Sequence, residues 1–548
     1  MNFLLLRYVI AGATLAGAWA TLRFRSVKLG LALVVTLGLL SWLLAWLPLE
    51  QPYGLTPGTE TSFDFALMSS GASRGDVLEG WVLGRRNPRP AWSLLWYFLS
   101  PGDPVAARGL VAFLAPLMII ALTYFVYWLL RGAGGQERFV ALTGAFTAVL
   151  ASSVSLDTFR PFPLFYQGVF FATPRFALAL VLSLAALGLA WRPRARWPIV
   201  SGVLLGVLGS LDTTIFLWAM LTLVIGEVLI ALCGKAFEWN GTWLAILLGS
   251  ALASPQIVLL LRRELLVRIP SGEEVVAFRM VFRDLFVVSG DMGPIFVLAL
   301  FALFFLWKRG SKGDPRIVSM VVASYGVWLV AAVLFHIRPF SEPKAVIHLV
   351  RFNVALAAGV GGFELSRRFA SHLKESGFLA RRPWRRLNAE PLSFVLVLFF
   401  LLPVTAPFLW RPFMIDPLYY LSLHEWDASI KRLERWLLEN TDADDVVLTG
   451  DDTGEWIASL TGRRVFKAER VLPRSEERER RTLLRRFFLS GNTKTMRAVL
   501  EETGADVLVL DPSLREVYWE FDETMLEASG LFEKAHQIGD RYAIYRVR

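Results

Sequence analysis

Long apolar runs separated by short polar connections fill the first four hundred residues, and the pattern then breaks. The runs lie near 2–20, 29–48, 109–130, 139–153, 175–191, 199–211, 214–233, 242–261, 293–307, 317–336, 345–363 and 392–410. A helix needs about 20 apolar residues to cross a hydrocarbon core of ~30 Å, so each run predicts a membrane span. After Trp410 the period changes. Trp426, Ile430, Leu433, Trp436 and Leu437 recur at helical spacing, and Asp445 to Thr449 reads as a strand. The turn Gly450-Asp451-Asp452-Thr453-Gly454 offers Asp or Thr to cap a helix running through Leu460, closed by Thr461-Gly462. Helices follow over 475–489 and 493–503, with a buried strand at 506–510. A hairpin of 531–537 with 542–547 ends the chain. The fold class is therefore an α-helical polytopic membrane protein of about twelve spans, residues 1–410, with a C-terminal extracytoplasmic α/β domain, residues 411–548.

Composition supports this division. Hydrophobic residues make up 55% of the chain and its mean hydropathy is +0.49, outside ordinary soluble usage. The tail from 411 onward holds 21 Lys and Arg against 26 Asp and Glu, whereas the whole chain holds 57 against 47. The basic excess belongs to the membrane part. It suits anionic lipid and phosphate, and no soluble basic face is left for nucleic acid. The single cysteine, Cys233, excludes an internal disulfide framework and a thiolate metal site.

Alternate connections carry the charge. Arg23/Arg25/Lys28, Arg131/Arg138, Arg192/Arg194/Arg196, Lys308 to Arg316 and Arg367 to Arg386 are basic. The connections 49–108, 154–174, 262–292 and 337–344 are poorer in Lys and Arg, so the positive-inside rule places the basic set in the cytoplasm. Both termini, the tail and the long connections then share the outer face of a multi-pass cell-membrane protein. The first segment is read as a retained span, because Arg23 and Arg25 follow it at once.

Chemistry is expected on that face. The 49–108 connection carries Glu60 and Asp64, the latter in the apolar stretch Phe63–Met68, predicted as a short helix lying on the membrane surface. Either carboxylate could serve as a general base or merely cap that helix. The 154–174 connection carries Asp157, which could hold a divalent cation such as Mg or Mn, or pair with Arg160 at the surface. Asp212 interrupts an apolar run at a predicted tight turn. Around the eleventh span come Arg338, Glu342, Lys344, His348 and Arg351. Residues 344, 348 and 351 fall on one helical face, a cationic stripe fit for a lipid-linked phosphate or, alternatively, snorkelling side chains at a helix end. The 262–292 connection fits an interfacial amphipathic helix. In the tail, Asp451/Asp452 serve the turn, and the Arg- and Glu-rich 475–486 run forms a solvated helix with internal ion pairs. No Gly-x-Gly-x-x-Gly or Walker pattern is present.

The acidic first connection, acidic second connection, many spans and α/β tail together resemble the polytopic glycosyltransferases of the C superfamily. This broad group includes protein mannosyltransferases, aminoarabinose transferases and oligosaccharyltransferase catalytic subunits. The phrases Trp436-Leu-Leu-Glu-Asn-Thr441, Gly454-Glu-Trp-Ile457 and Gly504-Ala-Asp-Val-Leu-Val-Leu510 are similar to tails of uncharacterised prokaryotic members. The resemblance implies a sugar transferase using a polyprenyl-phosphate donor and a glycan, lipid or protein acceptor. It assigns Asp64 or Glu60 as the catalytic or acceptor-orienting carboxylate and Asp157 as the second acid. Ser341-Glu342 faintly resembles a glutamate-bearing loop of the oligosaccharyltransferases, but on a far shorter loop. The chain lacks a paired acid in the first connection and a Trp-Trp-Asp motif in the tail, which argues against transfer of whole glycans to Asn. A non-catalytic envelope assembly protein and a lipid or polymer transporter are the rival expectations.

Overall fold

The computed structural model describes residues 3–46, 67–73, 82–83, 89–132, 136–150, 152–154, 161–163, 174–192, 196–233, 241–264, 292–308, 315–333, 343–375, 388–410, 417–467 and 474–548. It divides into two compact units. A helical unit comprises Met1–Gly54, Phe113–Leu259 and Arg268–Met414, and a sheet unit comprises Leu55–Ala112, Leu260–Val267 and Ile415–Arg548.

Each of the twelve apolar runs lies on a helix, beginning with Phe3–Phe24 and Val27–Trp46 and ending with Pro343–Glu375 and Ala389–Trp410. Many of these helices begin on proline, as at Pro104, Pro174, Pro294, Pro315 and Pro343. Proline has no N–H to lose there and its fixed φ suits the first helical position. Among the described residues, Thr213–Leu232, Gly241–Val258 and Val346–His372 are long and apolar enough to cross a membrane, and shorter apolar helices accompany them.

Pro343–Glu375 forms the axis of the helical unit and packs on Arg138–Leu150 and Pro294–Lys308. Glycines permit the approach. A Cβ on Gly359 would sit 2.7 Å from Gly144 Cα and 2.8 Å from the Thr143 carbonyl oxygen, and one on Gly361 would sit 2.2 Å from the Leu298 carbonyl oxygen. Such close backbone contact is how helices associate where lipid removes the hydrophobic driving force. The far end of the axial helix is tied by Arg367, which donates to both Glu137 oxygens at 3.2 Å and to Glu364 at 2.8 Å. The neighbouring basic residues rest on rings: Arg192 lies over Trp128 at 4.3 Å and Arg368 over Phe305 at 4.4 Å. Cations expected only to set orientation also pack.

At the start of the 154–174 connection, β1 (Ser152–Val154) and β2 (Pro161–Pro163) form a short antiparallel ladder.

The sheet unit is built on β3 (Val446–Leu448), β4 (Arg464–Val465), β5 (Val507–Leu510), β6 (Phe532–Ile538) and β7 (Tyr542–Val547), in the order β4-β3-β5-β7-β6. β3 runs parallel to β4 and β5, and β7 antiparallel to β5 and β6. This is the mixed α/β sheet that the alternation predicts, with the closing hairpin in place. Asp451–Thr461 follows β3 and ends at Gly462, whose φ of +69° suits glycine. Arg474–Leu489 and Thr493–Thr503 pack on each other and on the sheet. The first of these is more than a solvated rod. Glu477 pairs with Arg481 at 2.7 Å, but Leu483, Leu484, Phe487 and Phe488 are buried in one cluster with Leu448, Leu508 and Tyr545. Two further short helices, Pro512–Val517 and Thr524–Ala528, have no periodic signal of their own.

The turn after Leu448 departs from expectation. Asp451 and Asp452 belong to the helix, its cap Gly450 accepts no side-chain bond, and no Asp or Thr of that turn acts as the N-cap. Asp511, sixty residues on, fixes the turn before that helix: it accepts from Gly450 N and Thr449 Oγ1, each at 3.0 Å, and caps its own helix through Leu514 N.

Candidate functional site

The axial helix carries the predicted cationic stripe. His348 and Arg351 lie three residues apart near its start, on one face, and both are half-buried. Lys344 lies in the first turn of the same helix. Leu349, Val350 and Phe352 around them are fully buried, whereas these two polar side chains stay partly exposed. Buried Asn353 donates its side-chain amide to the Leu349 carbonyl at 2.9 Å. Arg338, Glu342, Glu60, Asp64 and Asp157 lie outside the described residues.

A second polar feature was half seen. Asp212 caps Thr213–Leu232, accepting from Ile215 N at 3.0 Å, which is the expected turn. It also accepts a close ion-pair hydrogen bond from Arg175 Nη1. The two side chains are only 3% and 1% exposed. Arg175 was missed, although one lone cation after Pro174 and one lone anion between apolar runs were the available signal. The pair locks the start of Pro174–Ala190 to the junction of Trp197–Leu211 and Thr213–Leu232.

In the sheet unit, the end of the stretch that holds Asp64 is buried. Residues 67–73 are helical, with Leu67 and Met68 fully buried, and so do not lie on a membrane surface. The reason is packing within the unit. Ser69 Oγ donates to the Ser459 carbonyl at 2.7 Å, and Ser73 Oγ to the Gly462 carbonyl at 3.4 Å. On the other side, a Cβ on Gly71 would meet the Ser93 carbonyl oxygen at 2.2 Å, next to the edge-to-face pair Trp92 and Trp96 of Pro90–Leu99. Val82 extends the sheet by bridging Val465, and Arg480 donates to the Leu83 carbonyl at 2.6 Å. The chain between the second and third spans is thus anchored to the tail segment of the same unit through backbone carbonyls.

Polar burial in this unit is otherwise structural. Arg463 donates to Thr441 Oγ1 at 2.9 Å and to the Thr441 carbonyl at 2.7 Å. Burial pulls its guanidinium below the ordinary value, opposed by Asp445 and Asp442. Asp522 is held below the usual carboxylate value by its hydrogen bonds to Thr524. Among the described residues no group of three His, Cys, Asp or Glu comes together that would hold a metal ion.

Neither a family model nor a curated protein matches the chain. Solved structures do. The oligosaccharyltransferase of Archaeoglobus fulgidus, in complex with Zn and sulfate, aligns over 91% of this chain and 71% of its own, at 12% identity and a TM-score of 0.53. ArnT from Cupriavidus metallidurans, bound to undecaprenyl phosphate, aligns over 94% of this chain and 97% of its own, at 15% identity and 0.52. The chain has the fold of these glycosyltransferases. The mycobacterial arabinofuranosyltransferase AftD shares it at 15% identity and 0.52, although the chain spans only 41% of that protein. The expected architecture of many apolar helices is met at the level of the fold.

Proposed function

We propose that the protein is an integral membrane glycosyltransferase that moves one sugar, with inversion, from a polyprenyl-phosphate donor to an extracytoplasmic acceptor. One observation carries this reading: a shared fold, end to end, with ArnT bound to undecaprenyl phosphate. A complex of the archaeal oligosaccharyltransferase with dolichol-phosphate and an inhibitory peptide supports a lipid-phosphate donor and a separate acceptor.

Arg351, with His348 and Lys344, holds the donor phosphate, and Arg338 and Glu342 flank that grip. As the bond from the anomeric carbon to the phosphate oxygen breaks, negative charge collects on the phosphate, and a guanidinium can meet it bidentately. Asp64, or Glu60 in its place, takes the proton of the acceptor hydroxyl whose oxygen forms the new bond. Asp157 orients the acceptor and is the residue that would hold a divalent cation, whose chemistry is neutralisation of the leaving phosphate. The tail domain and the acidic connections lie outside the cytoplasm, because the basic connections lie within it.

The test is turnover by full-length protein in liposomes with a polyprenyl-phosphate sugar. Asp64→Ala and Arg351→Ala abolish transfer at normal expression and folding. Retained transfer in both would leave the assembly-protein and transporter readings in its place.

A further inference from the structure

The sheet unit has a cavity of about 210 Å³ that the proposed reaction does not use. Sites for drug-sized ligands run ~300–1,000 Å³, so this one suits a single ring-sized group. Its floor is aromatic. Phe488 stacks on Tyr518 at 4.7 Å and 20°, and Phe521 meets Phe488 edge-on at 5.0 Å. Its rim is different. Trp519 is 77% exposed and contributes almost nothing to the core. Beside it, Arg515 Nε donates to Glu523 Oε1 at 2.7 Å, while Arg515 Nη1 is fixed by the Asp540 and Arg541 carbonyls. The ion pair remains about a third exposed.

We propose that this cavity is a saccharide-binding subsite for a neutral oligosaccharide. An exposed indole face offers the negative π surface that the C–H face of a sugar ring packs against. The planar guanidinium and carboxylate, already fixed in one orientation, present a donor and an acceptor side by side to neighbouring hydroxyls. The alternatives fit less well. An anionic ligand would meet Glu523, and an acyl chain or apolar peptide would strip water from an ion pair without replacing its hydrogen bonds. The subsite rests on the glycosyltransferase reading for its purpose: it grips an acceptor glycan away from the reacting hydroxyl and supplies remote binding energy.

The experiment is saturation-transfer NMR on the full-length protein in lauryldimethylamine oxide, a detergent without sugar, with mannotriose, galactotriose and arabinofuranotriose as probes and no donor present. At least one probe receives saturation. Trp519→Ala weakens that binding by about three- to tenfold, as expected for loss of one stacked ring, with an unchanged melting curve. Glu523→Gln weakens it as well. No saturation of any probe, or undiminished binding in Trp519→Ala, overturns the inference. So does quenching of Trp519 by spin-labelled lipid, which would make the indole a bilayer anchor. Because binding is read without turnover, a protein that binds the probe but transfers no sugar refutes the glycosyltransferase reading and leaves the subsite standing.

Discussion

Two buried aspartates show how differently the two units keep a charge out of water. Asp212, in the helical unit, is 3% exposed and meets a cation, Arg175. Asp511, in the sheet unit, is fully buried and meets no cation among its hydrogen bonds. It accepts from Thr449 Oγ1, Gly450 N, Ser513 Oγ and Leu514 N, at 2.6 to 3.0 Å. The difference follows from the backbone. Within a bundle of apolar helices nearly every N–H is already bonded along its own helix, so few neutral donors are left and an opposite charge must come. At the ends of parallel strands, where helices begin, N–H groups point outward unpaired, and a carboxylate can be solvated by them alone. Asp212 is therefore held by one backbone N–H and a cation, and Asp511 by a small crowd of neutral donors.

The comparison breaks hardest at the pair. Asp212→Ala leaves Arg175 buried and uncompensated, which should destabilise the helical unit by about 3–5 kcal/mol, while Arg175→Leu with Asp212→Leu recovers most of it. Thermal aggregation of detergent-solubilised protein reads both. A loss below about 1 kcal/mol in the single variant would show that water or another group already shares the charge.

A smaller effect of about 1–3 kcal/mol is expected from Asp511→Ala, since each abandoned donor keeps some alternative partner. Limited proteolysis should show it as faster cutting within 446–548, with the helical unit intact. Gly359→Ala should cost a similar ~1–3 kcal/mol by overpacking against Gly144 and Thr143, with the opposite proteolytic signature.

The mildest test uses pH. Burial, assisted by Asp511, pushes the Tyr542 phenol up to about 12, and burial with Glu523 and Glu527 does the same for Tyr545. Both pKa values exceed the ~10 of an unfolded tyrosine, so this stabilisation is complete below pH ~10 and is lost as pH rises through about 12. Phenolate absorbance should show a titration near pH 12 that disappears when both residues are changed to Phe, and the same double change should flatten the alkaline loss of stability.

Much of this molecule is legible from spacing alone. Twelve apolar runs became twelve helices, and short apolar segments such as Val507–Leu510 and Tyr542–Val547 became strands, because run length and local burial decide both. The failures are all long-range. Arg175 finds Asp212 across 37 positions, Ser69 finds Ser459 across 390, and Asp511 reaches Gly450 across 61. Nothing in a local window records such partners. The same holds for the site: His348 and Arg351 share a face because helical geometry demands it, but the cavity beside Trp519 needed Phe488 to meet the separate stretch 510–523. The first connection shows the cost most clearly, since an apolar stretch ending at Met68 reads equally well as a surface helix or as a segment buried against Ser459.

The account rests most heavily on Arg351 as the grip on a lipid-linked phosphate. Affinity for undecaprenyl phosphate, measured on the full chain in nanodiscs for the wild type and for Arg351→Ala, tests this directly. A charge-assisted hydrogen bond is worth about 1.5–3 kcal/mol, so the variant should bind about ten- to a hundredfold more weakly. Equal affinity in the two proteins would contradict it.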